Sequence, residues 1–506
     1  MPTPGARSRI RRDDSSGESS RRIGAEWEFA GRRYVGQPVV AAPLSTRPAP
    51  RLTQRWVPAL LALVALVVRL PSFLSSRALS FDDGVYGASV VDMRHGLVPY
   101  RDVFSSQGPL HLPLLYAGDL LGLHTINAPR LTPLLAGVVA TIAIWASARR
   151  LGAAPRDALI AGLLVATTGT MLWATGQITG DGPAAALTAL AIWAALGARD
   201  DPRWWRAALA GALFGAALAT KPIVVAAALP IAIWIGVHRR RQLLTAAAAA
   251  AGVWLLAALP WGVSRVWEQS FAYHTHAGPS YAHVEQLAKL LTTLATRDAI
   301  LVAAVVLGMF ASARRAARSD VRVLLAWLMV VAIVLVFEKA MYANHLAAII
   351  LPLALLVAVR PPPWRWLALA LVVLVPWELA NQANVLWPRR YTGIDAQVVA
   401  QLEHLPHGAR AIADDPGLVW RAGLSTPPQM NDTTDMRLFQ GSITTQSVAA
   451  AAATPATCAV VITPVGFGVQ LPGLRAAITA VGYHLAHAYG NDRELWLRPC
   501  RGSAPG

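Results

Sequence analysis

Between residues 57 and 380 the chain is a succession of apolar blocks separated by short polar connections, and no other feature limits its fold as much. The blocks fall near 57–74, 109–123, 129–148, 157–175, 183–198, 206–219, 222–237, 243–262, 299–312, 321–338, 340–359 and 364–380. A helix needs about 20 mostly apolar residues to cross a bilayer, and in lipid only helices or closed barrels satisfy their own backbone groups. The pattern predicts a polytopic α-helical membrane protein. Of 506 residues, 55% are hydrophobic and 14% charged, well below the roughly 25% charged of soluble domains. The block at 109–123 is short and carries Pro109, His111, Pro113 and Asp119. It reads as a re-entrant or interfacial element, or as the start of the second span, which leaves about eleven spans.

The net charge is +17, from 45 basic residues of which only Lys221, Lys289 and Lys339 are lysines. The arginines cluster in the first 55 residues and at the ends of alternate blocks: 147–157, 197–206, 237–242, 312–322 and 359–366. That is the positive-inside distribution of a multi-pass plasma-membrane protein, not a basic groove for nucleic acid. It places the N-terminus in the cytoplasm and, with an odd span number, the C-terminus outside. Residues 1–55, rich in Arg, Ser, Gly and Pro, cannot build a core and read as a disordered basic cytoplasmic arm beside anionic lipid. The run at 57–74 then reads as a retained first span, and 56–380 as the transmembrane module.

Residues 381–506 change character and predict a small extracytoplasmic α/β domain. IDAQVVAQLEHL, SITTQSVAAAAA and LPGLRAAITAV have helical periodicity, ARAIAD and CAVVIT read as strands, and YHLAHAY and RELWLRP flank a GND turn as a terminal hairpin. Cys458 and Cys500, the two cysteines of the chain, both lie here. An oxidising compartment permits a bridge, and spacing alone leaves it open. Asp414-Asp415 and Asn431-Asp432 are candidate cation or carbohydrate ligands, and equally ordinary turn residues.

The candidate chemistry lies on the predicted outer face. Asp82 and Asp83 open the longest external loop, residues 75–128, in LSFDDGVYG. A carboxylate near a hydroxyl can act as general base, and two close carboxylates separate each other's pKa values. The same pair would also suit a solvated loop start or a helix cap. Val85, Ala88, Val91, Met93 and Leu97 follow with helical spacing, as a membrane-facing stripe would. Asp181 precedes one span, and Lys221, Lys339, Asn344 and His345 mark other outer ends. A lysine at a span end is commonly an anchor, and as a point charge it also suits a phosphate. Arg94 and Arg101 are further outer cations. His274, His276 and His283 lack HExxH or CxxC form, so no confident metal set emerges.

These pieces resemble the GT-C glycosyltransferases that use polyprenyl-phosphate sugars, in particular the bacterial members akin to protein O-mannosyltransferases and the lipid A aminoarabinose transferase (glycosyltransferase family 39-like). Asp82-Asp83 stands where the family has an acidic pair, usually Asp-Glu. Gln107-Gly108-Pro109-Leu110 stands for a Lys-Pro-Pro-Leu-like element. Asp181-Gly182-Pro183 opens a later span, and GALFGAALATKP closes another at Lys221. The resemblance implies a polyprenyl-phosphate sugar donor and a glycan, glycolipid or protein acceptor. It further implies inverting hexosyl or pentosyl transfer at the outer face. Asp82 would be the base, with Asp83 beside it. Lys221, Lys339, Arg94, Arg101 and His345 would hold the donor phosphate, and Asp181, Gln107, His111 and Asn344 would orient the substrates. A divalent metal stays open. Two rivals are a multispan transporter, whose mark would be intramembrane charge, and a non-catalytic glycan- or lipid-binding assembly protein.

Overall fold

Helices account for the apolar blocks in the computed structural model, which describes residues 55–276, 282–311, 318–338, 341–391, 393–463, 466–490 and 493–500. The basic arm up to residue 54 and Lys339 lie outside the described residues. Four helices are long and apolar enough to cross a membrane: Ala128–Arg150, Asp181–Asp200, Arg240–Trp261 and Ser319–Phe337. Two more pairs meet that test only jointly. Pro155–Thr167 with Gly169–Gly176 is bent by 54°, and His283–Arg297 with Ala299–Ala311 by 95°. Val57–Phe73, Pro222–Ile235 and Ala343–Val359 are shorter apolar helices. By length and composition the described residues thus offer four to six spans against the expected count of about eleven. Several blocks fall short because they are interrupted, at Thr168 for example, whose extended backbone ends one helix.

That interruption leaves carbonyls without helical partners, which lipid does not tolerate. Arg69, in the first apolar helix and 1% exposed, answers it. Its Nη1 donates to Ala166 O at 2.9 Å and Ala65 O at 3.0 Å, and its Nε to Thr175 Oγ1 at 2.5 Å. The one intramembrane arginine on the first helix is therefore tied to the backbone of a broken one. Close backbone approach by small residues holds other helices together. Gly211 and Gly215 of Trp204–Thr220 face Ala246 and Ala250 of Arg240–Ala258, and a Cβ on Gly211 would stand 2.0 Å from Ala246 O. This is small-xxx-small packing of the kind lipid-embedded helices use.

The two ends of the bundle differ. At one end arginines and aspartates interlock: Arg199 with Asp320 at 3.2 Å, Arg206 with Asp201 at 3.2 Å and Arg150 with Asp200 at 3.4 Å. At the other end lie the first loop and the tail.

The tail contains a four-stranded sheet, order β1-β2-β4-β3, with β1 Arg410–Ala413, β2 Thr457–Ile462, β3 His484–Tyr489 and β4 Arg493–Leu497. β1 and β2 are parallel, and β4 pairs antiparallel with both β2 and β3, so the two terminal strands pair as expected, while residues 491–492 of the GND turn lie outside the described residues. Ile394–Glu403, Thr445–Ala452 and Leu474–Ala480 are helices. Cys458 and Cys500 are bridged, with Cα atoms 5.2 Å apart.

The described residues, from Arg55 onward, form one compact unit, so the tail is not a free-standing module. It sits on the helix Phe81–Arg94. There the apolar stripe faces protein, not lipid: Val85, Ala88 and Val91 are buried in one cluster with Leu112, Leu115, Ile178 and Trp420 of the tail. Gly84 and Gly87 leave that helix face flat. A Cβ on Gly87 would meet the Trp420 ring at 2.3 Å, and one on Gly84 would meet Gly417 N at 2.4 Å. Polar clasps flank the contact. Asp92 accepts from Thr426 N and Oγ1, both at 2.6 Å. Asn431 accepts from Phe104 N at 3.0 Å and donates to Ser89 Oγ and Phe104 O, each at 2.9 Å.

Candidate active site

Ser80 caps the helix Phe81–Arg94 by accepting from Asp83 N at 3.2 Å, which puts both aspartates in its first turn, near the positive end of the helix dipole. Their side chains then part. Asp83 is fully buried and bound on every side: Oδ2 accepts from Arg130 at 2.5 Å and Leu79 N at 2.8 Å, and Oδ1 from Ile178 N at 2.8 Å. It does not line the cavity beside it. Asp82 does.

That cavity measures about 400 Å³. The first loop contributes Asp82, Tyr86, Ser106 and Gln107, and Lys221 enters from the end of Trp204–Thr220. Ser270, Tyr273 and His274 come from the segment after residue 263, and Glu338, Tyr342 and His345 from the junction of two apolar helices. The tail closes it with Asp432 and Thr434.

The polar groups are individually placed. Lys221 Nζ lies 2.8 Å from Asp181 Oδ2, and both side chains are nearly buried. Among the described residues Asp181 Oδ1 is buried with no hydrogen-bond partner, as are both ring nitrogens of His111, whose ring stands edge-on to Tyr86 at 4.6 Å. Asp181 and His111 thus stand behind the cavity wall. His345 Nδ1 lies 2.8 Å from Glu338 Oε2. Gln107 is held through its carbonyl, which accepts from Tyr100 Oη at 2.8 Å and from Ser270 Oγ. Among the described residues no hydrogen bond or ion pair occupies the Asp82 carboxylate. It is half-buried, and loss of solvent pushes its pKa up to about 6 despite the opposing charge of Lys221.

Of the residues singled out in the sequence, Asp82, Gln107, Lys221 and His345 meet at the cavity, and Asp181 and His111 support it from behind. Asn344 is half-buried beside His345 but does not line it. The two arginines expected at a phosphate are used elsewhere. Arg94 Nε donates to Asp119 at 2.9 Å and Nη2 to Thr125 O at 3.0 Å, tying the loop together. Arg101 is exposed and pairs with its neighbour Asp102 at 2.7 Å. Sequence reasoning missed Tyr86, Glu338 and Tyr342. Glu338 stands next to Lys339, at a helix end already recognised as polar. Among the described residues no group of three or more His, Cys, Asp or Glu side chains is arranged to hold a metal ion.

Residues 107–264 match the dolichyl-phosphate-mannose-protein mannosyltransferase family model, a stretch that contains Gln107, His111, Asp181 and Lys221 but neither Asp82 nor the tail. A comparison with curated protein sequences finds no match. Among solved structures, ArnT from Cupriavidus metallidurans bound to undecaprenyl phosphate is 16% identical, with 90% of this chain and 100% of that chain covered and a TM-score of 0.60. Its apo state gives 15% identity over the same shares, also at 0.60. The apo oligosaccharyltransferase from Archaeoglobus fulgidus is 13% identical over 82% of this chain and 70% of that chain, at 0.52. At these identities the likeness carries the fold, and the fold of this chain is that of the GT-C membrane glycosyltransferases.

Proposed function

We propose that the chain transfers a sugar, a hexose or pentose, from a polyprenyl-phosphate donor to an acceptor hydroxyl at the outer face of the plasma membrane. The observation that carries this reading is the shared cavity: an unpaired carboxylate of raised pKa, Asp82, together with a buried lysine, Lys221. A base must be free and poised near neutrality, and a departing phosphate must meet positive charge. Support also comes from a second cavity of about 350 Å³ lined almost wholly by apolar residues, including Leu325, Leu328, Met329 and Ala332. These lie on the helix that also sends Val334 and Phe337 to the polar cavity. A polyprenyl chain there would deliver its phosphate to Lys221.

Asp82 takes the acceptor hydroxyl proton as the oxygen attacks the anomeric carbon. The carbon–phosphate oxygen bond breaks, the electron pair leaves with the phosphate, and Lys221 stabilises it. A single displacement inverts the anomeric centre through an oxocarbenium-like transition state. Asp181 holds Lys221 in place, and the buried Asp83–Arg130 pair fixes the helix turn that aims Asp82. The shorter and broken apolar helices, which fall below the usual length for a span, would complete a bundle of about eleven spans. The arginine-rich end faces the cytoplasm, and the domain from residue 381 lies outside. Acceptors of three kinds fit this chemistry: a glycan, a glycolipid or a protein.

The test is transfer in membrane vesicles given labelled polyprenyl-phosphate sugars and envelope acceptors. Donor consumption with label moving to a hydroxyl acceptor is expected. Label transported intact across the vesicle, with no bond broken, would support a transporter and sink the proposal.

A further inference from the structure

Asp432 is a carboxylate of the tail, 3% exposed, that lines the same cavity as Asp82. Among the described residues no side-chain ion pair or side-chain hydrogen bond from a base reaches its carboxylate, although the Arg437 guanidinium is near enough to act on it electrostatically. Arg437, five positions on, uses Nη1 on Gln429 O at 2.6 Å and on the Asp432 backbone carbonyl at 2.7 Å, and its guanidinium lies over Phe104 at 4.2 Å. One carboxylate oxygen of Asp432, Oδ1, accepts from Thr434 N at 3.0 Å and closes a tight turn. Thr434 also lines the cavity, with its hydroxyl 3.4 Å from Tyr273 Oη. A buried carboxylate needs hydrogen-bond donors as well as nearby positive charge, and hydroxyls can supply them. Here it stands beside two hydroxyls and the aromatic surfaces of Tyr86 and Tyr273. Acceptor atoms at the edge and aromatic rings at the face suit a sugar ring, which presents hydroxyls around an apolar body.

The position is also pre-organised. Asn431, the preceding residue, is locked to Phe104 and Ser89, and Thr426 to Asp92, so the turn carrying Asp432 is held against the first loop independently of any ligand. Groups held in this way by neighbours that do not touch the ligand are what a specific site requires.

We propose that Asp432 and Thr434 form a tail-borne subsite for the ring hydroxyls of a sugar, so that the tail is a specificity-determining wall of the cavity. The inference rests on the transfer reading above and names a residue pair that the transfer chemistry itself does not use. The hydroxyls could belong to the donor sugar or to the acceptor, and the two arms of the experiment separate these sources.

Asp432→Asn keeps an Oδ1 to accept from Thr434 N but replaces the anionic oxygen, so the turn survives while the subsite changes. Thr434→Val removes the second group. Asp435→Asn, three residues on and exposed, is the control. With donor and acceptor varied in turn, Asp432→Asn is expected to raise KM for one of them about 10- to 100-fold. kcat should stay within about threefold, and the control should behave as wild type. The substrate whose KM rises is the one held. Unchanged KM values for both, or a fall in kcat at constant KM, would overturn the subsite.

Failure of the transfer reading would show differently, as wild type that turns over no donor. Binding to the detergent-solubilised full chain then decides. The probes are a polyprenyl-phosphate hexose against sugar-free polyprenyl phosphate, and methyl glycosides as acceptor mimics. Loss of the sugar-dependent binding in Asp432→Asn supports the subsite, and equal binding by both proteins overturns it.

Discussion

Asp83 and Arg130 form a fully buried ion pair, 2.5 Å between carboxylate and guanidinium, and this pair sets the direction in which the neighbouring Asp82 points. Consecutive helical residues project about 100° apart. With Asp83 turned inward to Arg130 and Ile178 N, Asp82 is left facing the cavity. The two adjacent carboxylates are therefore predicted to fail in different ways. Asp83→Asn breaks a buried pair and should cost about 3–5 kcal/mol of stability, read as a lowered melting temperature in detergent. Asp82→Asn should melt like wild type.

The raised pKa of Asp82 predicts a pH dependence for transfer. The base works only when ionised, so kcat/KM should climb about tenfold per pH unit below about 6 and level off above it. Asp82→Asn should lose this limb together with most activity. A wild-type profile that is flat from pH 5 to 8 would argue against Asp82 as the base.

Lys221 and Asp181 make a buried pair at 2.8 Å. If Lys221 receives the phosphate, Lys221→Gln should lower kcat/KM for the donor about 100-fold or more, the scale of losing one such electrostatic contact, about 2.7–4 kcal/mol. Asp181→Asn should weaken the positioning of the lysine and cost less activity. Donor kinetics of both variants check the order, and an Asp181→Asn defect larger than that of Lys221→Gln would reverse the assigned roles.

The tail should be needed for activity although Asp82 and Lys221 lie outside it. Trp420 is fully buried against the helix that bears Asp82. Trp420→Ala should cost about 3–5 kcal/mol through the cavity left behind and make the tail more susceptible to limited proteolysis. Transfer should fall in parallel. Removal of the Cys458–Cys500 bridge, which joins residues 42 positions apart, should cost about 2–4 kcal/mol on the chain-entropy account. A melting curve with and without reductant checks it.

The sequence discloses the parts of this architecture that follow from local chemistry. Apolar blocks become helices, the two terminal strands pair antiparallel, and polar residues at helix ends such as Lys221 and His345 reach one cavity. What it conceals depends on partners far along the chain. Asp83 is separated from its sibling by Arg130, 47 residues away. The stripe Val85–Val91 looks lipid-facing because nothing nearby shows that Trp420 covers it. Arg94 reads as a free outer cation until Asp119 is seen beside it. Asp432 reads equally as a turn residue and a ligand, and in the structure one oxygen closes the turn while the residue lines the cavity.

The most direct test of the central claim is single-turnover consumption of a labelled polyprenyl-phosphate sugar by purified wild type and by Asp82→Asn, with donor binding measured on both. The account predicts equal donor binding and a transfer rate reduced about 100- to 10,000-fold in the variant, the usual contribution of a general base. Transfer at the wild-type rate by Asp82→Asn would contradict it.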